Sequence, residues 1–300
     1  MNADGKFVIV WWSYDLQEIQ GQMYGANGLS IGAEFKVNIS NGKTVAAPDV
    51  AMRNDGGFVV SYNYDDDVFA RVFDSNGVPL NLSFQVDGNS GVPERSSVAV
   101  DFVGNFVITW PCDCESASPG SVMDVLARRY DANGIPLGNE FIVNTYTKSI
   151  QWFPDVAMNS KGDFFVVWQS NQNGGGFTDI FGQRYSADGG MAGKEFQVNT
   201  YGNNSQVFAN ISMNSSGEAV VSWISYGQKN GIVGIYAQKY DVSGNPLGSE
   251  FLVNVNSPVD GGSHSPAISI NETGDFAVAW RGEDQTKGIF VKKYFSNNLP

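Results

Sequence analysis

The sequence Pro154-Asp155-Val156-Ala157-Met158-Asn159, followed by Gly162-Asp163-Phe164-Phe165-Val166-Val167-Trp168, decides the fold of this chain. It continues through Asp179-Ile180-Phe181-Gly182-Gln183-Arg184-Tyr185 to Glu195-Phe196-Gln197-Val198-Asn199. We name these four runs segments a, b, c and d; each has the two-residue period that is typical of β-strands. Segment b occurs six times, marked by a residue pair four positions apart: Phe7 and Trp11, Phe58 and Tyr62, Phe106 and Trp110, Phe164 and Trp168, Ala219 and Trp223, Phe276 and Trp280. Repeats of this length, each made of four short strands, indicate a radial or stacked β array.

These repeats predict an all-β fold, a β-propeller with six blade-like repeats of four antiparallel strands and incomplete terminal blades. We expect a single domain over residues 1–300, with approximate repeats at 1–40, 47–87, 93–145, 154–200, 208–255 and 266–300. Met1 aligns with the end of segment a, and Pro300 aligns with the residue before segment d. That leaves six b, six c, five a and five d segments, or 22 strands. A ring with such ends would close weakly or stay open, and its free strand edges would invite self-association; the alternative is a piece cut from a longer array.

The composition excludes several classes of partner. The chain has a net charge of −13, whereas nucleic acid and anionic membrane surfaces both require a basic patch. No stretch reaches the roughly 18 apolar residues of a membrane helix, and no basic start followed by an apolar run marks a signal peptide. We therefore expect no nucleic-acid partner and no membrane insertion.

No cofactor and no metal site are predicted. Calcium is the alternative, because acidic residues recur before segment c as Glu18, Asp67, Asp124 and Asp179. No Asp-x-Asp-x-Asp-Gly loop accompanies them, so we expect these residues to cap turns. Cys112 and Cys114 are separated by one residue, which favours a reduced or locally bridged pair over a disulfide framework or a metal site.

The order P-x-V-A-M, G-x-F-x-V-x-W, D-I-x-x-x-R-Y and a Ser/Asp-x-Asp/Asn-Gly turn resembles the Asp-box (BNR) repeats of sialidase-like β-propellers. The best match is Arg184-Tyr185-Ser186-Ala187-Asp188-Gly189-Gly190, with Gly-x-Glu-Phe where that family has Thr-Trp. The copies are also similar to tandem repeats of large secreted bacterial proteins. The resemblance implies four-stranded blades with segment a innermost and segment d outermost, and an extracellular or cell-surface location. Fold alone does not imply function.

Spacing separates a constant face from a variable one. The distance from the segment-c aromatic to the first residue of segment d is ten residues in five copies, whereas the b–c and d–a connections vary in length. Variable loops on a rigid scaffold are the usual place for binding. Aromatic rings in these loops can stack on the apolar faces of sugars, although they can equally clamp their own loops. The candidate ligand-binding residues are Trp12, Tyr14, Tyr64, Trp152, Phe177, Tyr226, His264 and Arg281.

The prediction for function is a non-catalytic, lectin-like module that binds a glycan or a cell-surface ligand through these loops. One alternative is a structural or adhesion repeat that binds protein. The other is a divergent sialidase-like glycoside hydrolase or a polysaccharide lyase. The resemblance implies three converging arginines for a sialidase, but Arg71, Arg129 and Arg184 read as repeat surface, and His264 is the only histidine available to a lyase. No catalytic residue is therefore predicted.

Overall fold

The fold, in a computed structural model, is the six-blade β-propeller architecture that the repeats predict, with six antiparallel sheets of three or four strands. The structure describes residues 1–39, 44–88, 95–113, 122–254, 265–284 and 286–296, with the backbone alone for 283, 284, 286 and 287. These residues form 22 strands and no helix, so the predicted strand count is confirmed. It follows that no described helix is long or apolar enough to cross a membrane.

Each sheet is one blade, and its strands pair in chain order. Blade 1 comprises β1 (Phe7–Ser13), β2 (Glu18–Tyr24) and β3 (Ser30–Lys36). Blade 2 comprises β4 (Val45–Met52), β5 (Phe58–Tyr64), β6 (Asp67–Phe73) and β7 (Phe84–Gln85). Blade 3 comprises β8 (Ser97–Val100), β9 (Phe106–Cys112), β10 (Asp124–Tyr130) and β11 (Phe141–Ile142).

Blade 4 comprises β12 (Gln151–Met158), β13 (Phe164–Ser170), β14 (Asp179–Tyr185) and β15 (Phe196–Gln197). Blade 5 comprises β16 (Gln206–Met213), β17 (Ala219–Lys229), β18 (Ile232–Tyr240) and β19 (Phe251–Leu252). Blade 6 comprises β20 (Ala267–Ile270), β21 (Phe276–Asp284) and β22 (Thr286–Tyr294). Among the described residues, blade 1 has no a strand and blade 6 has no d strand.

The chain divides into two compact units, Met1–Val143 and Asn144–Pro300. The first unit holds blades 1 to 3 and the second holds blades 4 to 6. The expectation of a single domain over residues 1–300 stays a prediction.

The repeated aromatics form the core of both units, as their constant positions predict. Trp110, Trp168 and Trp223 at the ends of segment b are among the largest fully buried side chains. In blade 4 the ring of Phe164 stacks on that of Tyr185 with centroids 4.8 Å apart, and four other blades repeat this stack. Because such rings bury large apolar areas, they supply most of the packing energy of each blade.

Neighbouring blades within a unit are joined by the Phe and Glu of segment d. The ring of Phe196 packs on Tyr240 of the next blade at 5.8 Å between centroids, and three equivalent pairs lie at 5.2 to 5.6 Å. Glu250 accepts a 2.7 Å hydrogen bond from the main-chain N–H of Thr200, which follows segment d of the preceding blade. In the first unit, Glu140 accepts the equivalent bond from the main-chain N–H of Gly88 at 3.0 Å. The glutamate of segment d therefore binds the main chain directly after segment d of the preceding blade.

One pair of core positions differs in size between blades, and this supplies a test of the packing. Blades 2, 3 and 5 have a buried alanine in segment c and a buried valine in segment b, whereas blade 4 has Gly182 and Phe165 at these positions. A Cβ atom on Gly182 would lie 2.6 Å from the ring of Phe165. We expect Gly182→Ala to lower the free energy of unfolding by about 1 to 3 kcal/mol, because overpacking displaces the ring.

The matched double variant Gly182→Ala/Phe165→Val recreates the pair of the other blades. Chemical denaturation should show that the second change recovers part of the loss, so that the two effects are not additive. Additive losses would refute the steric explanation.

Candidate functional site

The candidate site lies at the beginning of the a strands of blades 4 and 5, in the second unit, and its irregular backbone also occurs in blade 2 of the first unit. A register shift interrupts the pairing of β4, β12 and β16 with their b strands. Within it, Ala47, Phe153 and Phe208 adopt positive φ angles of 48°, 51° and 56°. Residues with side chains rarely adopt this conformation, and such strain is concentrated at functional sites.

Buried glutamines hold the irregular segment in the second unit. The Gln169 side-chain oxygen accepts a 2.7 Å hydrogen bond from the main-chain N–H of Phe208. Gln151 accepts a 2.9 Å hydrogen bond from the indole of Trp168, and Gln206 accepts the equivalent bond from Trp223 at 3.1 Å. The core tryptophans therefore anchor the first residue of each of these a strands.

Three aromatic rings cluster at this end of blades 4 and 5. Phe153 lies edge-on to Trp152 at 6.3 Å between ring centroids and edge-on to Phe208 at 5.4 Å. All three side chains are half-buried. The Trp152 indole nitrogen is buried and has no hydrogen-bond partner among the described residues. A partly open aromatic surface is suited to stacking on a ring-shaped ligand.

Asp155 stands two residues beyond Phe153 and joins blades 4 and 5. Its Oδ2 atom accepts hydrogen bonds from Asn210 Nδ2 at 2.6 Å and from the main-chain N–H of Ile211 at 2.8 Å. Asn210 is the equivalent residue of blade 5, and its Oδ1 accepts the main-chain N–H of Ile268 at 3.1 Å. An amide thus makes the same bond to the next blade, so this contact does not require the negative charge of Asp155.

Asp49 is the equivalent of Asp155 in blade 2. Its Oδ2 accepts a 2.9 Å hydrogen bond from the main-chain N–H of Val98 in blade 3. Sequence analysis missed both aspartates, although the shared Pro-Asp-Val-Ala-Met of segment a contains them. The sequence signal for these two residues was an aspartate at the position of segment a where blade 5 has Asn210.

The predicted ligand-binding residues fall in several places. Trp12 and Tyr14 are 40% and 74% exposed at the end of β1 and contact each other at 5.6 Å. Phe177 is 38% exposed in the connection between β13 and β14. Trp152 belongs to the aromatic cluster described above.

The other four candidates are less available or are not described. Tyr64 is only 9% exposed and contacts Phe69 at 5.0 Å, which leaves little ring face for a sugar. Tyr226 packs against the core of blades 5 and 6. Arg281 lies on β21 opposite Ile289, and His264 lies outside the described residues. The structure therefore brings only Trp152 of this set into the aromatic cluster.

The acidic residues before segment c serve the scaffold where their contacts are described. Asp179 is 4% exposed and accepts hydrogen bonds from Asn199 at 2.8 Å and Asn173 at 2.7 Å. Glu18 pairs with Lys36. No group of three or more His, Cys, Asp or Glu residues in the described part of the chain could hold a metal ion. Cys112 is disulfide-bonded, and Cys114 lies outside the described residues.

The described arginine contacts also serve the scaffold. Arg71 donates to the carbonyl of Val37 at 2.8 Å, and Arg128 donates to that of Val86 at 3.1 Å. Arg184 donates to the carbonyl of Val242 in the next blade at 2.8 Å. These guanidinium groups join blades, as expected for repeat surface, and are not directed at a ligand carboxylate.

Comparisons with known proteins find a similar fold in solved structures. No protein-family model matches the chain, and no curated protein matches its sequence. The alpha-L-arabinanase of Penicillium chrysogenum, solved with arabinobiose, is similar at a TM-score of 0.65 and 11% identity, covering 100% of this chain and 92% of that one. An alpha-L-arabinofuranosidase of Fusarium graminearum, solved with an iminosugar inhibitor, gives 0.62 and 11%, covering 99% and 91%. A PL25 ulvan lyase gives 0.55 and 9%, covering 98% and 77%.

At these identities the similarity establishes the six-blade propeller fold alone. The prediction of a non-catalytic, lectin-like module is nevertheless wrong as the first choice. The neighbouring propellers are arabinan-cleaving enzymes and a polysaccharide lyase, so the comparisons favour the enzymatic alternative.

Proposed function

We propose that this chain is a glycan-cleaving enzyme, a glycoside hydrolase that acts on a neutral, arabinose-containing polysaccharide. The observation that carries the proposal is the aromatic cluster beside Asp155, a carboxylate that two hydrogen bonds from blade 5 hold in place. Support for the substrate class comes from the arabinobiose complexes of two neighbouring propellers. The arginine contacts favour a neutral sugar, because Arg71, Arg128 and Arg184 bind main-chain carbonyls of the protein.

The residues of the site have distinct roles in this proposal. Trp152, Phe153 and Phe208 would stack on sugar rings. Asp155 would act as the carboxylate that attacks the sugar or activates water, while a second carboxylic acid, as in most glycoside hydrolases, would protonate the leaving glycosidic oxygen. The bonds from Asn210 and from the N–H of Ile211 would fix the orientation of the Asp155 carboxylate.

The proposal is tested by incubating the purified chain with linear arabinan, arabinoxylan and ulvan and measuring new reducing ends. We expect reducing ends from the arabinose-containing substrates. Release of an unsaturated uronate from ulvan would instead favour a lyase. If none of the polysaccharides is cleaved, while thermal unfolding shows that the chain is folded, the enzymatic proposal fails.

Trp152→Ala is expected to lower kcat/KM on arabino-oligosaccharides about two- to tenfold, because one aromatic stacking contact contributes about 0.5 to 1.5 kcal/mol. Trp152→Phe keeps an aromatic ring and should recover part of this loss. Steady-state kinetics with both variants measure the contribution of the ring. Unchanged kinetics in Trp152→Ala would show that the aromatic cluster does not bind the substrate.

Two further points belong to the proposal. The turn after β14 supports the Asp-box relationship, since Asp188 Oδ1 accepts hydrogen bonds from Ser186 Oγ at 2.6 Å and from the N–H of Gly190 at 3.0 Å. An extracellular or cell-surface location would suit an enzyme that degrades a polymeric glycan.

A further inference from the structure

The junction of blades 4 and 5 contains a cavity of about 450 Å³. It is lined by segment d of blade 4 and by the c strand and c–d turn of blade 5, all within the second unit. Five of its lining residues have equivalents at the other junctions: Val198, Gln238, Tyr240, Gly248 and Glu250. Cavities of this volume accommodate small molecules. None of the three rings of the aromatic cluster lines it, so it is separate from the candidate site.

Three other blade junctions are filled at this place by a cation of the chain itself. The position two residues before the segment-c aromatic is Arg71 in blade 2, Arg128 in blade 3 and Lys292 in blade 6. Each side chain donates to the main-chain carbonyl of the segment-d valine of the preceding blade, at 2.8 to 3.1 Å. Each cation also lies 4.9 to 5.7 Å from the centroid of the segment-c ring of its own strand. An aromatic ring and a main-chain carbonyl thus form a repeated binding place for a cation.

Arg128 shows that a guanidinium group contacts two carbonyls at this place. Its Nε donates to the carbonyl of Gly138 in the c–d turn of its own blade at 3.2 Å, and its Nη1 donates to the carbonyl of Val86 in blade 2. Arg71 makes the first of these contacts to the carbonyl of Asn81 at 3.3 Å. The planar guanidinium can join the two carbonyls because it presents several donors in fixed directions.

Gln238 occupies this position in blade 5 and makes only one of the two contacts. Its Nε2 donates to the carbonyl of Gly248 at 3.3 Å. Gly248 corresponds to Gly138, since both stand ten residues after the c-strand side chain. The amide of glutamine is uncharged and reaches less far than a guanidinium group. Val198, the equivalent of Val86, therefore lines the cavity instead of binding a side-chain cation of blade 5.

The walls of the cavity suit a positively charged ligand. Tyr240 supplies the segment-c ring, and Glu250 supplies a carboxylate. Glu250 accepts one hydrogen bond from the N–H of Thr200 at 2.7 Å and one from the Gln228 amide at 2.6 Å, so its oxygens keep further acceptor capacity. The ion pairs found among the described residues do not include Glu250. Arg184 of blade 4 donates to a main-chain carbonyl of the c–d turn and does not line the cavity.

We propose that this cavity binds the guanidinium group of an organic cation, in the place that the chain's own side chains fill at three other junctions. The group would lie over the ring of Tyr240 and donate to the carbonyl of Val198 and to the carboxylate of Glu250. The net charge of −13 favours a cation over an anion as the ligand. The cavity shares no residue with the candidate site, so this binding does not depend on the proposed enzymatic activity.

The test uses the whole chain, with N-methylguanidinium as the probe and N-methylurea as its uncharged control of the same shape. NMR shifts of the main-chain amides of Val198, Thr200 and Gly248 are followed during titration with each compound. We expect saturable shifts with N-methylguanidinium and a dissociation constant at least about tenfold higher for N-methylurea, because the charge strengthens contacts to a carboxylate and a ring. The amides around Arg128, where the place is already filled, serve as the internal control and should not shift.

Exchanging the side chains of two junctions gives matched variants. Gln238→Arg gives blade 5 the side chain of blade 3 and should abolish the shifts at Val198. Arg128→Gln removes the cation between blades 2 and 3 and should produce saturable shifts at Val86. Thermal unfolding shows whether each variant is folded. Glu250→Gln is the further variant, because it keeps the size of the side chain, and it should weaken binding by about threefold or more.

Agmatine and an acetylated Gly-Arg-Gly peptide carry the same group, and the tighter of the two shows whether a small molecule or an arginine side chain fits the cavity better. Saturable binding that requires the positive charge and is lost in Gln238→Arg supports the proposal with either compound. Absence of saturable shifts, equal affinity for N-methylurea, or affinity that neither Gln238→Arg nor Glu250→Gln changes would overturn it.

Discussion

Asp87→Asn is expected to stabilise the unit that contains blades 1 to 3 and to flatten its stability between about pH 4 and pH 6. Burial in blade 2 raises the pKa of Asp87 from its ordinary value of 3.8 to about 6, with a smaller contribution from the nearby Asp67. Its Oδ2 is buried without a hydrogen-bond partner among the described residues. A buried, unsatisfied polar atom costs about 1 to 3 kcal/mol, so the variant should gain stability of this order near pH 7.

The sign of the pH dependence follows from the raised pKa of Asp87 in the folded chain. Below about pH 4 the carboxyl is protonated in both the folded and the unfolded state, and no penalty is present. As the pH rises to about 6, the unfolded state loses its proton first and the folded state becomes relatively less stable. Above about pH 6 the destabilisation caused by the buried Asp87 carboxylate no longer changes with pH. In Asp87→Asn this destabilisation is absent at every pH.

The repeat explains why asparagine suits this position. The other blades place Asn38, Asn144, Asn199 and Asn254 there. Asn199 accepts the N–H of Ile180 at 2.7 Å and donates to Asp179 at 2.8 Å. Aspartate can accept but, when ionised, cannot donate.

Thermal unfolding of wild type and Asp87→Asn at pH 4 and pH 7 measures the effect. The reverse change, Asn199→Asp in blade 4, is the matched control and should introduce the same penalty into the other unit. Parallel pH profiles for wild type and Asp87→Asn would contradict the assignment.

Asp155→Asn is expected to reduce kcat on the cleaved glycan by at least about 100-fold, the usual cost of losing a catalytic carboxylate. Stability should change by less than about 1 kcal/mol, because an amide oxygen can accept the N–H of Ile211. Asn210 already makes this contact to Ile268 in the next blade. The change in kcat therefore reports a catalytic role of Asp155, and the change in stability reports a structural role.

Kinetics and thermal unfolding of Asp155→Asn, with Asp188→Asn on the turn after β14 as the control, provide the measurement. Retained activity in Asp155→Asn would exclude the carboxylate from catalysis. A large loss of stability together with activity would instead assign Asp155 to the scaffold.

The strands and blades could be predicted from the sequence because every copy of the repeat has the same spacing of apolar residues. The constant positions of Trp168 and Tyr185 in the repeat are typical of core residues, and both side chains are buried in the structure. Aligning the copies of the repeat was enough to predict that the first and last blades are incomplete. These features depend on residue period, which one sequence displays directly.

The candidate site could not be predicted in the same way. Its positive φ angles fall on Ala47, Phe153 and Phe208 rather than on glycine, so residue type gives no signal for the irregular backbone. Tyr64 and Trp12 both occur near variable loops, yet one is buried and the other is exposed. Burial depends on how adjacent blades pack, and that information is not contained in a single repeat.

The glutamates of segment d have a consequence for how this molecule unfolds. Glu140 and Glu250 accept hydrogen bonds from main-chain N–H groups that lie 52 and 50 residues earlier in the chain, so each of these blades is bonded to its immediate predecessor within its unit. In such an arrangement each blade is stabilised by its contacts with the adjacent blades rather than by a core that all blades share. Loss of one glutamate should therefore loosen a single junction, and a unit of three blades should unfold from the weakened junction outward.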